Sequence, residues 1–369
     1  MQVKGGKENA IQDRGLAGEY TETAGTKYVS IIIPCREERE YITGALRAVL
    51  ANDWPADSLE VLVVDGMSAD GTRDIVNAIA TRDARVRLVD NPDLFAGSAM
   101  RVGVTAARGE YVVRVDAHAE IPPDYVRTGV EAIERVPEIW AVGGPVDRVA
   151  AGEEGRLVAA VISNIFATGN TPIRIGRREG FVDVVAYPVW RREVLNRVGD
   201  FDETLVRNED DDYFYRIRRA GGIVYQTQKM RAKYYVRGSV RQLLRQYNQY
   251  AFWKIAVARK HGRFIDWKPL VPPVFFAALA LTAVGGFVTP YLWLVGGTLA
   301  AAYFVADVAA SVAVAAKTSL RDFFKALAIF PTFHLKYAAG ILAGMWCFYV
   351  RRFTREEVVR RGIYSRLTR

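Results

Sequence analysis

Between residues 270 and 314 this chain holds a single charged side chain. Residues 270–289 (LVPPVFFAALALTAVGGFVT) carry none, residues 291–314 carry only Asp307, and Pro290 stands between them at a probable turn. A helix of about 20 apolar residues crosses the ~30 Å hydrocarbon layer of a bilayer. Two such runs in succession therefore predict a membrane hairpin. A buried helical core of a soluble protein accounts poorly for two adjacent near-chargeless stretches of spanning length. Asp307 lies in the later part of its span, and it is either functional or snorkels to the interface.

A third apolar stretch, 323–350, is interrupted by Lys325, Pro331, His334 and Lys336, which leaves only 337–350 clean. It can span, re-enter or lie flat. Arginines at 321, 351, 352 and 355, with a strongly basic segment at 351–369, place both ends of the region on the cytoplasmic side. Two full spans plus a re-entrant or interfacial hairpin are expected.

The first third of the chain has a different rhythm. VSIIIP, from Val29, is an apolar run stopped by a proline, and LEVLVVDG at 59–66 is a second buried strand ending at a glycine. Ile42, Leu46, Val49 and Leu50 have helical spacing between them. A helix around 72–81, a strand at 85–90, a helix at 97–107 and a strand at 110–116 continue the alternation. That order predicts an α/β domain with a doubly wound, Rossmann-like parallel sheet, whose ligands bind beyond the carboxyl ends of the strands. Asp65 and Asp116 both fall at strand ends and should face one crevice.

The chain is basic, with a net charge of +9, and the excess is uneven. From Tyr213 to Ile265 there is no acidic residue, while thirteen lysines and arginines are interleaved with Tyr234, Tyr235, Tyr247, Tyr250, Phe252 and Trp253. Such a basic, aromatic surface suits nucleic acid or a lipid interface. The membrane runs that follow decide for lipid. The two cysteines, Cys35 and Cys347, form neither a disulfide framework nor a zinc spacing, which points to a reducing, cytosolic setting for the soluble part. The opening segment has no apolar core and reads as a flexible lead-in rather than a signal peptide.

Four motifs occur in order: VSIIIPCREE, VDGMSADGT, RVDAH and NEDDDYFYRIRRAG. Their order and spacing resemble the family 2 glycosyltransferases over roughly residues 28–265. With YYVRGSV and RQYNQYAFWK ahead of a membrane region, the run is most similar to transferases of exopolysaccharide assembly, typified by succinoglycan biosynthesis. The resemblance implies a GT-A fold over 28–235, after a lead-in at 1–27. Basic aromatic interfacial helices at 236–268, membrane helices at 269–350 and a basic cytoplasmic tail at 351–369 complete the expected organisation.

Glycosyl transfer from a nucleotide diphosphate needs a grip on the nucleoside, neutralisation of the departing diphosphate and a base for the acceptor hydroxyl. Asp65 ends a strand beside Gly66 and can accept hydrogen bonds from a base or ribose, and the resemblance implies uracil or ribose. Its alternative is a helix cap or Asx turn, for which Ser68 and Asp70 are better placed. The resemblance adds Pro34 and Glu38 to the nucleotide site. Asp116 and His118 can aim two donors at one divalent cation on the diphosphate. DAH stands where the family has DxD, which makes Mn²⁺ as suitable as Mg²⁺. The alternative for His118 is a loop histidine satisfied by backbone. Family members often add a further histidine ligand where this chain has Tyr234 and Tyr235.

Crowding among Glu209, Asp210, Asp211 and Asp212 suits a general base of raised pKa, although acids also belong at a helix start. By motif match Asp210 corresponds to the family's base and Asp212 to its supporting acid, with Glu209 beside them and Arg216 one turn later able to pair with Asp212. QYNQYAFW lacks the arginine of the QxxRW signature of processive relatives, so addition of a single sugar is expected. Arg237, Arg245, Gln246 and Trp253 could reach the phosphates of the donor or of a lipid carrier, or else belong to a headgroup-facing helix.

The expected protein is thus a multi-pass enzyme of the cytoplasmic membrane, its catalytic domain facing the cytoplasm. It would move a sugar, with inversion, from a nucleotide-sugar, a UDP-sugar by the resemblance, to a polyprenyl-diphosphate-linked saccharide. It would touch membrane lipid and no nucleic acid. The rival readings are a polyprenyl-phosphate monosaccharide synthase and a non-catalytic membrane adaptor.

Overall fold

The computed structural model describes residues 27–169, 179–236 and 238–364. The lead-in, the end of the tail and Arg237 lie outside the described residues. The chain opens with β1 (Val29–Cys35), α1 (Ile42–Leu50), β2 (Leu59–Asp65), α2 (Thr72–Ala80), β3 (Val86–Asp90), α3 (Ala96–Ala106) and β4 (Tyr111–Arg114). There follow β5 (Ala119–Glu120), α4 (Tyr125–Arg135), β6 (Ile139–Gly144), β7 (Val146–Val149), α5 (Gly152–Ile162), α6 (Ile165–Thr168), β8 (Gly180–Phe181), β9 (Ala186–Arg191), α7 (Arg192–Val198), α8 (Glu209–Arg219), β10 (Ile223–Gln226) and β11 (Ala232–Tyr235). The remainder is helical: α9 (Val240–His261), α10 (Val271–Gly285), α11 (Tyr291–Ala315), α12 (Arg321–Met345) with a π-helical turn at Trp346–Val350, and α13 (Arg355–Arg360).

Two compact units result. Of the described residues, one takes in 27–148, 179–203 and 209–235, and the other 149–169, 204–208, 236 and 238–364. In the first, β1 and β2 are apolar on successive residues because helices cover both faces of their sheet. Ile31 and Ile33 pack with Ile42, Leu46 and Val49 of α1. Ile32, pointing the other way, packs with Met100 of α3 and with Trp190 and Phe214. The sheet order is β3-β2-β1-β4-β9-β6-β10-β8.

The expectation of a parallel sheet needs one correction. β1 to β4 are mutually parallel, but β9 inserts antiparallel between β4 and β6, and β8 caps the β10 edge antiparallel. A second sheet of order β5-β11-β7 lies in the same part of the chain. Register brings Cys35 opposite Asp65, and Ile32 opposite Arg114. With neighbouring strands about 4.8 Å apart, the ends of β2 and β4 flank the end of β1.

In the second unit, three helical segments are long and apolar enough to cross a membrane: Lys268–Gly285, Tyr291–Ala315 and Arg321–Val350. The third is not broken as its sequence suggested. Lys325 pairs with Asp322 at 3.0 Å in the first turn, and Pro331 is accommodated within the helix. His334 has both ring nitrogens in contact, one 2.7 Å from the Tyr303 hydroxyl of α11 and the other 2.9 Å from the Phe166 carbonyl of α6.

α12 packs along α9. A Cβ on Gly340 would stand 2.3 Å from the Asn248 carbonyl, and one on Gly344 2.8 Å from that of Phe252, so the two glycines let the backbones approach closely. α9 turns Leu243, Tyr247, Ala251 and Ile255 inward at helical spacing and leaves Arg241, Arg245, Arg259 and Lys260 exposed. The basic, aromatic surface expected there is therefore basic only, because the aromatic half of the helix is its packing face.

Candidate active site

The loops beyond the carboxyl ends of β1, β2 and β4, with the first turn of α8, hold most of the residues expected to carry chemistry. Asp116 lies two residues beyond β4. Its Oδ1 accepts from Nε of Arg114 at 3.0 Å, while Nη1 of the same guanidinium lies 3.3 Å from Oε1 of Glu209, the first residue of α8. One buried cation thereby joins the RVDAH motif to the acidic run. Burial disfavours the charge of Arg114, but Asp116, Glu209 and Asp210 outweigh it and raise the guanidinium above its ordinary value. Burial likewise pushes the Asp116 carboxyl upward, and Arg114 and then His118 outweigh that, leaving it below the usual carboxylate range.

Asp210 is half-buried at the start of α8. Its burial, followed by the charges of Asp211 and Glu209, pushes its carboxyl up to about 7 against the pull of Arg114. The Asp211 amide donates to Asp210 Oδ1 at 2.8 Å, which orients the carboxyl group. Asn208, just before the helix, has φ 62°, a left-handed conformation that asparagine tolerates better than most residues. Asp212 is fully buried, and Nε of Arg216 reaches its Oδ2 at 3.1 Å, the pair expected from their spacing. Arg216 also donates to the carbonyls of Val198 and Asp200, and the Tyr213 ring stacks 3.8 Å from Phe201. These contacts fix the helix whose first turn carries Asp210.

His118 has a carboxylate partner at its ring. Its Nδ1 lies 3.1 Å from Oε1 of Glu38, so the tautomer that donates there leaves the lone pair on Nε2. A carboxylate behind a histidine is the usual arrangement for orienting a metal ligand. Burial, with Arg114, lowers the pKa of His118 despite Asp116. The neutral ring that results is the form that ligates. Tyr234 packs edge-on to His118 with centroids 5.0 Å apart.

Among the described residues no three His, Cys, Asp or Glu side chains gather to hold a metal ion. The donor set that fits is Asp116, whose side chain is 25% exposed, with His118. Two protein ligands suit a cation that takes its remaining ligands from phosphate and water.

Asp65 is fully buried, and its partners are internal. It accepts from the Ser68 amide at 2.9 Å, from the Ser68 hydroxyl, and from Nη1 of Arg73 at 2.9 Å; Arg73 extends to Asp90 at 2.7 Å. In this arrangement Asp65 fastens the turn at 65–68. Asp70 accepts from the Thr72 amide at 3.0 Å, an Asx turn leading into the next helix, whose N-cap is Gly71. Gly66 is required by a close approach of protein, since a Cβ there would stand 3.0 Å from the Leu94 carbonyl. Pro34 is half-buried at the penultimate position of β1. Glu38 stands behind His118, a role its motif did not announce, and its amide donates to the Thr72 hydroxyl at 2.9 Å.

The weaker candidates separate. Trp253 is fully buried, and its indole donates to the Tyr364 carbonyl at 3.0 Å between Phe252 and Phe348, so it is a packing residue rather than a phosphate contact. Gln246 donates to the Tyr250 hydroxyl at 2.8 Å, and Arg245 is exposed. The residue missed from sequence is Arg114; an arginine two residues before the motif acid was the available signal.

Residues 30–198 match the model of glycosyl transferase family 2. The chain carries a family 2 glycosyltransferase domain. Among its relatives is the succinoglycan biosynthesis protein ExoA of Rhizobium meliloti, 29% identical over 68% of this chain and 77% of the relative. A dolichyl N-acetyl-alpha-D-glucosaminyl phosphate 3-beta-D-2,3-diacetamido-2,3-dideoxy-beta-D-glucuronosyltransferase of Methanococcus voltae is 24% identical over 72% and 84%. Among solved structures, the mannosyltransferase PcManGT from Pyrobaculum calidifontis, in complex with GDP-Man and Mn²⁺, superposes with a TM-score of 0.57 at 21% identity, over 92% of this chain and 93% of that one. The glycosyltransferase therefore has a GT-A-type α/β core followed by helices, three of them long and apolar enough to cross a membrane.

Proposed function

We propose that this glycosyltransferase moves a sugar, with inversion, from a UDP-sugar to a saccharide held on a polyprenyl diphosphate, in the assembly of an exopolysaccharide or other surface glycan. The observation that carries the reading is that one guanidinium, Arg114, contacts both Asp116, two residues from His118, and Glu209, the neighbour of Asp210 with its raised pKa. An adaptor needs no such arrangement. The relative from Rhizobium meliloti supports exopolysaccharide assembly, and the one from Methanococcus voltae supports an acceptor that is itself a lipid-borne sugar. A dedicated base also favours a hydroxyl acceptor over a lipid phosphate, which needs none.

In this reading Asp210 takes the proton of the acceptor hydroxyl, whose oxygen attacks the anomeric carbon as the bond from that carbon to the diphosphate oxygen breaks. A divalent cation held by Asp116 and His118, either Mn²⁺ or Mg²⁺, would supply charge neutralisation for the departing diphosphate. Glu38 keeps His118 oriented, and Asp212 with Arg216 holds the helix that presents the base. Asp65, Pro34 and the turn at Ser68 form the nucleoside side. The catalytic domain faces the cytoplasm, α10 and α11 cross the membrane, and α12 lies along α9 at its surface.

Binding and hydrolysis of a panel of nucleotide sugars by the detergent-solubilised protein, with Mn²⁺, Mg²⁺ or EDTA, tests this. A UDP-sugar should bind wild type, Asp116→Ala should lose it, and Asp210→Asn should bind without turnover. If no nucleotide sugar binds under any metal condition, the transferase reading fails.

A further inference from the structure

We infer that Arg114 is a positioning residue that fixes the donor-side carboxylate Asp116 and the acceptor-side turn at Glu209–Asp210 in one register. The inference rests on the transferase reading above and names a residue that reading does not require.

Arg114 is the last residue of β4, and in an extended chain residues i and i+2 share a face, which brings its side chain back onto Asp116. Its own side chain is 15% exposed, and Glu209 on its other side is buried. A guanidinium is planar and offers separate N–H groups in fixed directions. Here two different nitrogens serve two different carboxylates, Nε for Asp116 at 3.0 Å and Nη1 for Glu209 at 3.3 Å. The separation of those carboxylates is therefore set by the geometry of one rigid ion. A lysine would supply the charge as a single point on a flexible stem.

The consequence for the reaction is geometric. Asp116 belongs to the end that meets the diphosphate, and Glu209 is the neighbour of the base. An in-line displacement requires the attacking oxygen and the departing diphosphate to lie on opposite sides of the anomeric carbon. A misplacement of about 1 Å costs on the order of 100-fold in rate. The fork of Arg114 ties these two ends together before substrate arrives.

A purely structural ion pair would also explain the contacts, and the two roles separate in kinetics. The full-length protein in detergent is compared as wild type, Arg114→Lys, Glu209→Gln and the double variant. The readouts are UDP affinity in the presence of Mn²⁺, thermal midpoint, and single-turnover transfer at saturating donor. Arg114→Lys should keep UDP affinity within about threefold while transfer falls on the order of 100-fold. Glu209→Gln, which leaves the buried cation in place, should fall similarly, and the double variant should be no worse than the weaker single because the two residues act as one unit. Transfer near wild type in Glu209→Gln overturns the inference, as do losses that multiply in the double variant or a rate loss fully accounted for by a lower thermal midpoint. Failure of the transferase reading gives a different pattern, in which wild type itself binds no UDP. If Arg114→Lys does not fold, the Glu209→Gln result decides alone.

Discussion

Nη1 of Arg114 lies 3.3 Å from Oε1 of Glu209, a contact that spans 95 positions of sequence and joins the end of β4 to the first turn of α8. It delivers a positive charge to the point where four carboxylates, Glu209 to Asp212, follow one another. The electrostatics of the next residue, Asp210, follow from that arrangement, and they set the pH at which the enzyme should work.

Asp210 must be ionised to accept a proton. Because burial and its acidic neighbours push its carboxyl up to about 7, the transfer rate should rise with pH through an acid limb near 7. An unperturbed carboxylate would place that limb near 4. Asp210→Asn should lower turnover by about 10²–10⁴-fold and leave UDP binding in place. The stability consequence has the opposite sense to that of a salt-bridged acid. The folded state holds the Asp210 proton more tightly than the unfolded chain, so this group's contribution to stability is present below about pH 4 and is lost as pH rises toward 7. Thermal midpoints of wild type and Asp210→Asn should therefore diverge over that interval, with wild type the less favoured at its upper end. Parallel midpoints would deny the raised pKa.

His118 stands in place of a carboxylate, and Glu38 orients it at 3.1 Å. Imidazole favours later transition metals, whereas a second carboxylate favours hard ions such as Mg²⁺. Titrating UDP affinity with each metal should show wild type preferring Mn²⁺ and His118→Asp shifted toward Mg²⁺. Glu38→Gln should keep the preference and weaken the metal effect on the order of 10-fold, as loss of an orienting partner does. An identical metal response in all three proteins would remove His118 from the site.

The alternation that begins at Val29 is legible because strands covered on both faces are apolar on successive residues, as Ile31–Ile33 of β1 and Val61–Val64 of β2 are. The insertion of β9 between β4 and β6 was not, since pairing across a sheet depends on contacts remote in sequence rather than on local pattern. The site divides in the same way. Asp116, His118 and Asp210 belong to short motifs whose chemistry can be read locally, and Asp212 with Arg216 follows from helical spacing. Arg114 reads as an ordinary polar position of a strand until Glu209 is brought beside it. Asp65 reads from the sequence as a strand-end acid, and its partners in the structure, Ser68 and Arg73, lie within eight residues on a turn whose shape the sequence does not disclose. In α9 the aromatic residues were counted without their phase, and that phase turns them inward.

That distinction is measurable. Trp253 is fully buried between Phe252 and Phe348, so Trp253→Ala should cost about 3–5 kcal/mol, the usual range for truncating a buried aromatic. Arg245, exposed on the other side of the helix, should change stability by no more than about 0.5 kcal/mol when replaced by alanine. Thermal or denaturant unfolding in detergent reads both. UDP affinity should be unchanged in Arg245→Ala, and a loss there would return this arginine to the donor site.

The course of α12 has a consequence for topology. By length and composition Arg321–Val350 qualifies as a third span, yet it packs along α9, whose other side exposes Arg241, Arg245, Arg259 and Lys260. A helix bearing four exposed cations is costly to carry into hydrocarbon, so the proposed topology puts the pair at the membrane surface. Two crossings, by α10 and α11, would then return the chain to its starting side and leave Arg351, Arg352 and Arg355 where the positive-inside rule puts them. Single cysteines at Val288 and Thr354, in a Cys35→Ser, Cys347→Ser background, would be labelled with a membrane-impermeant maleimide on right-side-out and inverted vesicles. The two positions should label from opposite faces, with Thr354→Cys accessible from the side that also exposes a cysteine at Arg263. Labelling of Thr354→Cys from the same face as Val288→Cys would mean that α12 crosses, and the chain would then end on the face opposite its catalytic domain.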